Sequence, residues 1–284
     1  MLRIGAARER KVPATVAGAS SASTAKVVVE GLTHRYRTSD GIEMLALDDV
    51  SFEVADDEVL TVVGPSGCGK STLVHIIAGL VKPAAGTLLV DGKPVLKPGP
   101  DRGVVFQELA ILPWRTVSGN IGHGLEIARV PRADRERIVT EFIRLVGLEG
   151  FEERFPHELS GGMKQRVAVA RTLAADPKVM LMDEPFAAVD AQTRITLQEE
   201  LIRISTVTKK TILFVTHSVE EAVFLGDRVM VLTQRPGRVK KLVKVPVPRS
   251  ERSWDAMSAD PRFLEVKDEV MKLVRAEIKE AAKN

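Results

Sequence analysis

Residues 64–71 constrain this chain more than any other segment. Gly64-Pro65-Ser66-Gly67-Cys68-Gly69-Lys70-Ser71 fills every fixed position of the pattern G-x-x-x-x-G-K-[ST]. Val59-Leu60-Thr61-Val62-Val63 leads into it with the near-continuous apolarity of a strand buried on both faces. Thr72 follows, and Leu73, Ile76, Ile77 and Leu80 then mark an apolar helix face. Glycines let such a loop curl so that successive N–H groups point inward, and the helix start adds unpaired N–H groups and a partial positive charge. The segment therefore predicts a phosphate site. Lys70 would neutralise charge on the β- and γ-phosphates, and the Ser71 hydroxyl would ligate Mg2+, a hard ion that prefers oxygen. Cys68 reads as a small filler, since nothing near it suggests an activated thiolate.

A strand–loop–helix unit of this kind belongs in a parallel sheet, and the rest of the chain agrees. Short β-rich runs recur at 87–90, 103–106, 179–182, 211–215 and 229–232. Val50, Phe52 and Val54 alternate with Ser51 and Glu53, the period of a half-exposed strand. Between the runs lie helical patterns: Ile138, Phe142, Leu145 and Val146 share one face, as do Val167, Ala170 and Ala174. Interleaved strands and helices predict an α/β fold with a mainly parallel sheet. Residues from about 108 to 174 carry no convincing strand, which predicts a helical insert. Residues 1–26, with Arg3, Arg8, Arg10 and Lys11 against Glu9, predict a flexible basic extension. At the other end, Asp260-Pro261 is a helix start, and Phe263, Val266, Val270 and Leu273 give the following helix an apolar face, so 246–284 is expected to be a helical extension.

Composition narrows the function classes. A net charge of +3 is too small to argue for a nucleic-acid binder. The longest apolar runs fall far short of the ~20 residues of a membrane helix, no apolar signal segment stands at the start, and the single cysteine rules out an internal disulfide framework. The expectation is an intracellular globular protein.

Two further motifs bear on the phosphate loop. Val179-Met180-Leu181-Met182-Asp183-Glu184 is an apolar strand ending in two acids. Asp183 would hold Mg2+ opposite Ser71, and Glu184 would orient and deprotonate a water for in-line attack. Leu159-Ser160-Gly161-Gly162-Met163, followed by Lys164-Gln165-Arg166, opens a second helix whose cap and glycines also suit a phosphate. A single bound nucleotide seldom needs two such helix starts, so the second suits a nucleotide held by another subunit.

With these motifs in this order, residues from about 27 to 245 resemble the nucleotide-binding subunit of an ATP-binding-cassette (ABC) transporter. The resemblance implies a P-loop NTPase with a parallel core sheet, an antiparallel β subdomain and a helical subdomain. It implies ATP and Mg2+ as ligands, and a head-to-tail homodimer in which Ser160, Gly161 and Gly162 of one copy cap the γ-phosphate on the other. By the same resemblance, Gly64, Pro65, Ser66, Gly67, Cys68, Gly69, Lys70, Ser71 and Thr72 line the nucleotide. Gln107 senses Mg2+ and the attacking water, Asp190 lies at the dimer interface, His217 contacts the γ-phosphate and positions water with Glu184, and Tyr36 stacks on adenine. Met163, Val189 and Ser218 depart from residues common at their positions, but none touches phosphate or water.

The resemblance extends to a branch of importers. Leu112-Pro113-Trp114-Arg115-Thr116, the 159–163 motif and Asp190-Ala191-Gln192-Thr193-Arg194 look like the nitrate/sulfonate/taurine branch. In such importers the ATPase is peripheral on the cytoplasmic face of the membrane, the permease is a separate polypeptide, and a periplasmic protein binds the solute. By the same resemblance the loop around Trp114 lies where the permease docks, and Trp114 reads either as a docking anchor there or as a side chain packed into the insert itself. The competing readings are a cytosolic ABC-type ATPase outside transport and a non-hydrolysing nucleotide switch. A GTPase is disfavoured because no Asn-Lys-x-Asp motif is present.

Overall fold

The computed structural model describes residues 25–37, 41–187 and 189–281. All but the last two residues of the basic extension at 1–26 lie outside them, and Ala25 and Lys26 already belong to a strand. In chain order the elements are β1 (Ala25–Arg37), β2 (Glu43–Ala55), β3 (Val59–Val63), α1 (Lys70–Ile77), β4 (Ala85–Val90), β5 (Lys93–Pro94) and β6 (Arg102–Val105). Then come α2 (Val117–Ile121), α3 (His123–Ile127), α4 (Arg132–Leu145), α5 (Gly161–Ala174), β7 (Val179–Asp183), α6 (Ala191–Thr208) and β8 (Thr211–Val215). The chain closes with α7 (Val219–Leu225), β9 (Arg228–Leu232), β10 (Val239–Lys244), α8 (Trp254–Ala259) and α9 (Pro261–Ala281).

Two sheets organise these elements. The larger runs β10-β9-β3-β8-β7-β6 and is parallel throughout except for β10, which is antiparallel to β9. The smaller, β2-β1-β4-β5, is antiparallel. Every residue of β3, β7 and β8 is buried, and alternate side chains feed two separate cores. Val59, Val63, Met180, Met182, Ile212 and Phe214 pack with residues of α2 and of α4 to α7, whereas Leu60, Val62, Leu181, Leu213 and Val215 pack with α1 and the antiparallel sheet. α1, carrying Leu73, Val74, Ile76 and Ile77, is thus wedged between two sheets, which fixes the loop that precedes it.

Helices α2 to α5 occupy the interval between β6 and β7. On α4 the most deeply buried residues are Val139 and Ile143, with Ile138 and Phe142 only partly covered, so the core face is centred one position beyond the stripe expected from spacing. The C-terminal helices are packed against the body: Phe263, Val266 and Val270 of α9 belong to the same core as α7 and β9. Arg252 is buried before α8, its guanidinium donating to the carbonyls of Phe224 (2.9 Å), Gly226 (3.0 Å) and Val247. Burial pushes this group down to about 10, partly offset by Asp227.

Candidate nucleotide site

The parallel strands β3, β8, β7 and β6 all present their C-terminal ends on one edge, where ligands of open α/β sheets bind. β3 ends in the glycine-rich loop. Gly69 adopts φ 102°, and a Cβ there would lie 2.6 Å from Leu47 Cδ2 and 2.9 Å from the Ala46 carbonyl, so only glycine lets the loop close against β2. Lys70 is buried, and its ammonium donates to the carbonyls of Gly64 (3.0 Å) and Pro65 (3.1 Å), bracing the loop from within. Ser66 and Gly67 are exposed at its crest. Cys68 is fully buried beneath, where burial pushes its thiol up against the opposing pull of Lys70. Tyr36, near the end of β1, shares a hydrogen bond with the Thr72 hydroxyl at 3.2 Å, and His34 packs edge-on to its ring at 4.6 Å. The aromatic residue is thereby held against the helix that follows the loop.

β7 brings Asp183 to the same edge. The Ser71 hydroxyl donates to Asp183 Oδ1 at 3.2 Å. Burial raises the Asp183 carboxyl above its usual range, with the Ser71 hydrogen bond pulling the other way. Adjacent hydroxyl and carboxylate oxygens are the donor set Mg2+ prefers when substrate phosphates complete its shell, so these two residues fit that ion. Among the described residues no cluster of three or more His, Cys, Asp or Glu could hold a metal by itself. Glu184 follows at φ 45°, a left-handed conformation that is costly for a side chain of this kind and that recurs at functional sites. Its N–H donates to the Val215 carbonyl at 3.0 Å, and Oε2 lies 3.0 Å from Nδ1 of His217, just past the end of β8. Gln107 is exposed two residues beyond β6, the strand paired with β7. Lys70, Ser71, Asp183, Glu184 and His217 thus sit together, with Gln107 on the neighbouring strand end.

The second glycine motif stands apart. Ser160 caps α5, its hydroxyl accepting the Met163 N–H at 3.3 Å, and Asp190 caps α6 by accepting the Thr193 N–H at 3.0 Å. The two helix starts meet: a Cβ on Gly162 would lie 2.6 Å from Thr193 Cγ2. Gly161 is exposed, and a Cβ there would meet nothing within 4 Å. Among the described residues no hydrogen bond or ion pair joins 160–162 or Asp190 to the phosphate loop. Thr193, which joins Asp190 to Gly162, stands in the sequence only as part of the branch motif 190–194, with no role of its own read from it.

The segment 109–116 is rigidly held. Asn120 is fully buried and accepts the Leu112 N–H at 2.8 Å while donating to the carbonyls of Leu112, Arg115 and Thr116. Arg171 donates to the carbonyls of Leu109 and Ala110. Trp114 is left outside this clamp, 72% exposed.

Comparison with known proteins settles the family. The ABC transporter family model matches residues 47–187. An uncharacterised ABC transporter ATP-binding protein of Methanocaldococcus jannaschii is 53% identical over 258 residues, 91% of this chain and 94% of that protein. This chain belongs to the ABC transporter family, as an ATP-binding subunit. It binds ATP and is an ATPase. The taurine import ATP-binding protein TauB of Pseudomonas putida is 46% identical over 234 residues, 81% of this chain and 89% of that protein. Among solved structures, a dimeric post-hydrolysis state of an ATP-binding cassette with ADP and Pi superposes with a TM-score of 0.68 at 29% identity, covering 78% of this chain and all of that one.

Proposed function

We propose that two copies of this chain clamp two ATP molecules between them and drive import of a small solute of the nitrate, sulfonate or taurine class. The observation that supports the dimer is the division of the site: one edge gathers loop, acids and histidine, while the capped turn at 160–162, exposed at Ser160 and Gly161, shares no hydrogen bond or ion pair with that loop among the described residues. Lys70 and the loop N–H groups bind the β- and γ-phosphates, and Tyr36 receives the adenine. Ser71 and Asp183 would hold Mg2+, with Gln107 beside them, and the ion would supply charge neutralisation to the phosphates. His217 holds the Glu184 carboxylate in place through the 3.0 Å contact, and Glu184 takes the proton from the attacking water. In the partner copy Ser160, Gly161 and Gly162 close over the γ-phosphate, with Asp190 beside them. Loss of that phosphate removes what both subunits share, and the dimer reopens.

The clamped loop around Trp114 offers an exposed aromatic on a pre-ordered backbone, the form an interface anchor takes, and separate membrane permease subunits dock there. No helix of the described residues is long and apolar enough to cross a membrane; the likeness to an import ATP-binding protein supports a peripheral place on the cytoplasmic face. Delivery of the solute falls to a periplasmic binding protein. The taurine-type relative supports this branch. Glu184→Gln tests the chemistry: ATP binding is expected to persist while turnover falls at least about a hundredfold. Turnover at the parental rate would remove Glu184 from the role of base.

A further inference from the structure

The C-terminal segment reaches the turn that carries His217 through a chain of buried and part-buried hydrogen bonds. Trp254 opens α8 with its ring stacked on Phe224 of α7, centroids 4.4 Å apart and planes 10° from parallel. Its indole N–H donates to Gln198 Oε1 on α6 at 3.0 Å. The Gln198 amide donates to Glu221 Oε1 on α7 at 2.6 Å. The other oxygen of Glu221 accepts the Thr216 hydroxyl, whose oxygen in turn accepts the Ser218 N–H at 3.0 Å. Thr216 and Ser218 flank His217. Gln198, Glu221 and Thr216 are all at least nine-tenths buried. Among the described residues, none of Trp254, Gln198 and Glu221 bonds to Glu184, to His217 or to the phosphate loop.

A buried polar chain of this kind is rigid while every group is paired, and losing one link strands a donor or acceptor away from water. The turn it holds carries the imidazole that meets Glu184. We propose that Trp254, Gln198 and Glu221 are positioning residues for His217, so that the C-terminal segment sets the turnover rate by fixing the 216–218 turn. This rests on His217 and Glu184 acting as the water-orienting pair.

The test measures ATP turnover and thermal unfolding of the full-length chain carrying Gln198→Leu or Trp254→Phe, each alone, together, and with His217→Ala. Gln198→Leu is expected to lower kcat about tenfold with the KM for ATP within about twofold, since chemistry and not binding is disturbed. Trp254→Phe keeps the stack on Phe224 and loses only the N–H, so kcat is expected to fall about threefold. The double variant should be no slower than Gln198→Leu, because both break one chain. On the His217→Ala background Gln198→Leu should leave the residual rate unchanged, which a general loosening of the fold would not do. Parental kcat in either folded variant, or an undiminished loss on the His217→Ala background, overturns the proposal. If Gln198→Leu does not fold, Trp254→Phe decides the matter alone. If His217→Ala itself turns over at the parental rate, the reading of the pair fails first, and the proposal falls with it.

Discussion

Gly161→Ala separates what the fold needs from what the dimer needs. Residue 161 is the first of α5, and a Cβ there meets nothing within 4 Å in its own chain. Alanine is favoured over glycine in a helix by about 0.5–1 kcal/mol, with the lower end apt for a first turn. In a domain of this size that raises Tm by about 1–3 °C. In the proposed clamp the added methyl would nevertheless occupy the space a partner's γ-phosphate needs beside the helix N–H groups, so turnover should drop at least about tenfold. Gly162→Ala differs, because its Cβ would lie 2.6 Å from Thr193 Cγ2. That overpacking should cost about 1–3 kcal/mol, and Thr193→Ser should restore the lost Tm without restoring turnover. Thermal unfolding and steady-state ATPase assays on the variants suffice. A fall in Tm for Gly161→Ala would show that the fold itself demands the glycine, and parental turnover in it would refute the placement of a phosphate at that helix start.

Three other outcomes are expected. Lys70→Ala should weaken ATP binding at least about tenfold by calorimetry, since its ammonium is the only lysine in the loop; an unchanged Kd would count against its phosphate role. Asp183→Asn should abolish Mg2+-dependent turnover yet leave the protein at least as stable as the parent at pH 7. Burial raises the folded pKa of Asp183 above 3.8, so its ionised form costs stability above that raised value, and the cost is relieved as pH falls and is gone below 3.8. Denaturation across pH should therefore show the variant's advantage shrinking on acidification; an advantage that grows would contradict the buried-carboxylate argument. Trp114→Ala should leave the turnover of the isolated chain within about twofold, since the side chain is exposed and takes no part in the bonds that clamp its loop, while binding to permease-containing membranes is lost. Retained binding in a co-sedimentation assay would place the docking anchor elsewhere.

The phosphate edge was legible in the sequence because its chemistry demands fixed spacing. A loop that wraps phosphates needs its glycines and lysine at set intervals, and strands buried on both faces, such as β3, β7 and β8, leave unbroken apolar runs. Other elements hid for physical reasons. β1 shifts register at several points, including between Val29 and Leu32, and each shift breaks the alternation by which a strand is recognised. β10 is an edge strand whose lysines mask its pattern. α6 buries Gln198 and Ser205 among its leucines and isoleucines, so its inner face does not read as apolar. The link from Trp254 to Thr216 joins positions far apart in the chain, and each of its residues taken singly suits a surface or a generic core. The antiparallel sheet was foreseen only through family resemblance.

The clamp between two copies is tested most directly by sedimentation of the Glu184→Gln protein with and without ATP and Mg2+, with bound nucleotide counted in each species. The expected result is a monomer without nucleotide and, with it, a dimer holding two ATP molecules, a transition abolished by Gly161→Ala in the same background. A protein that binds ATP one-to-one yet sediments as a monomer at every concentration would contradict the shared site.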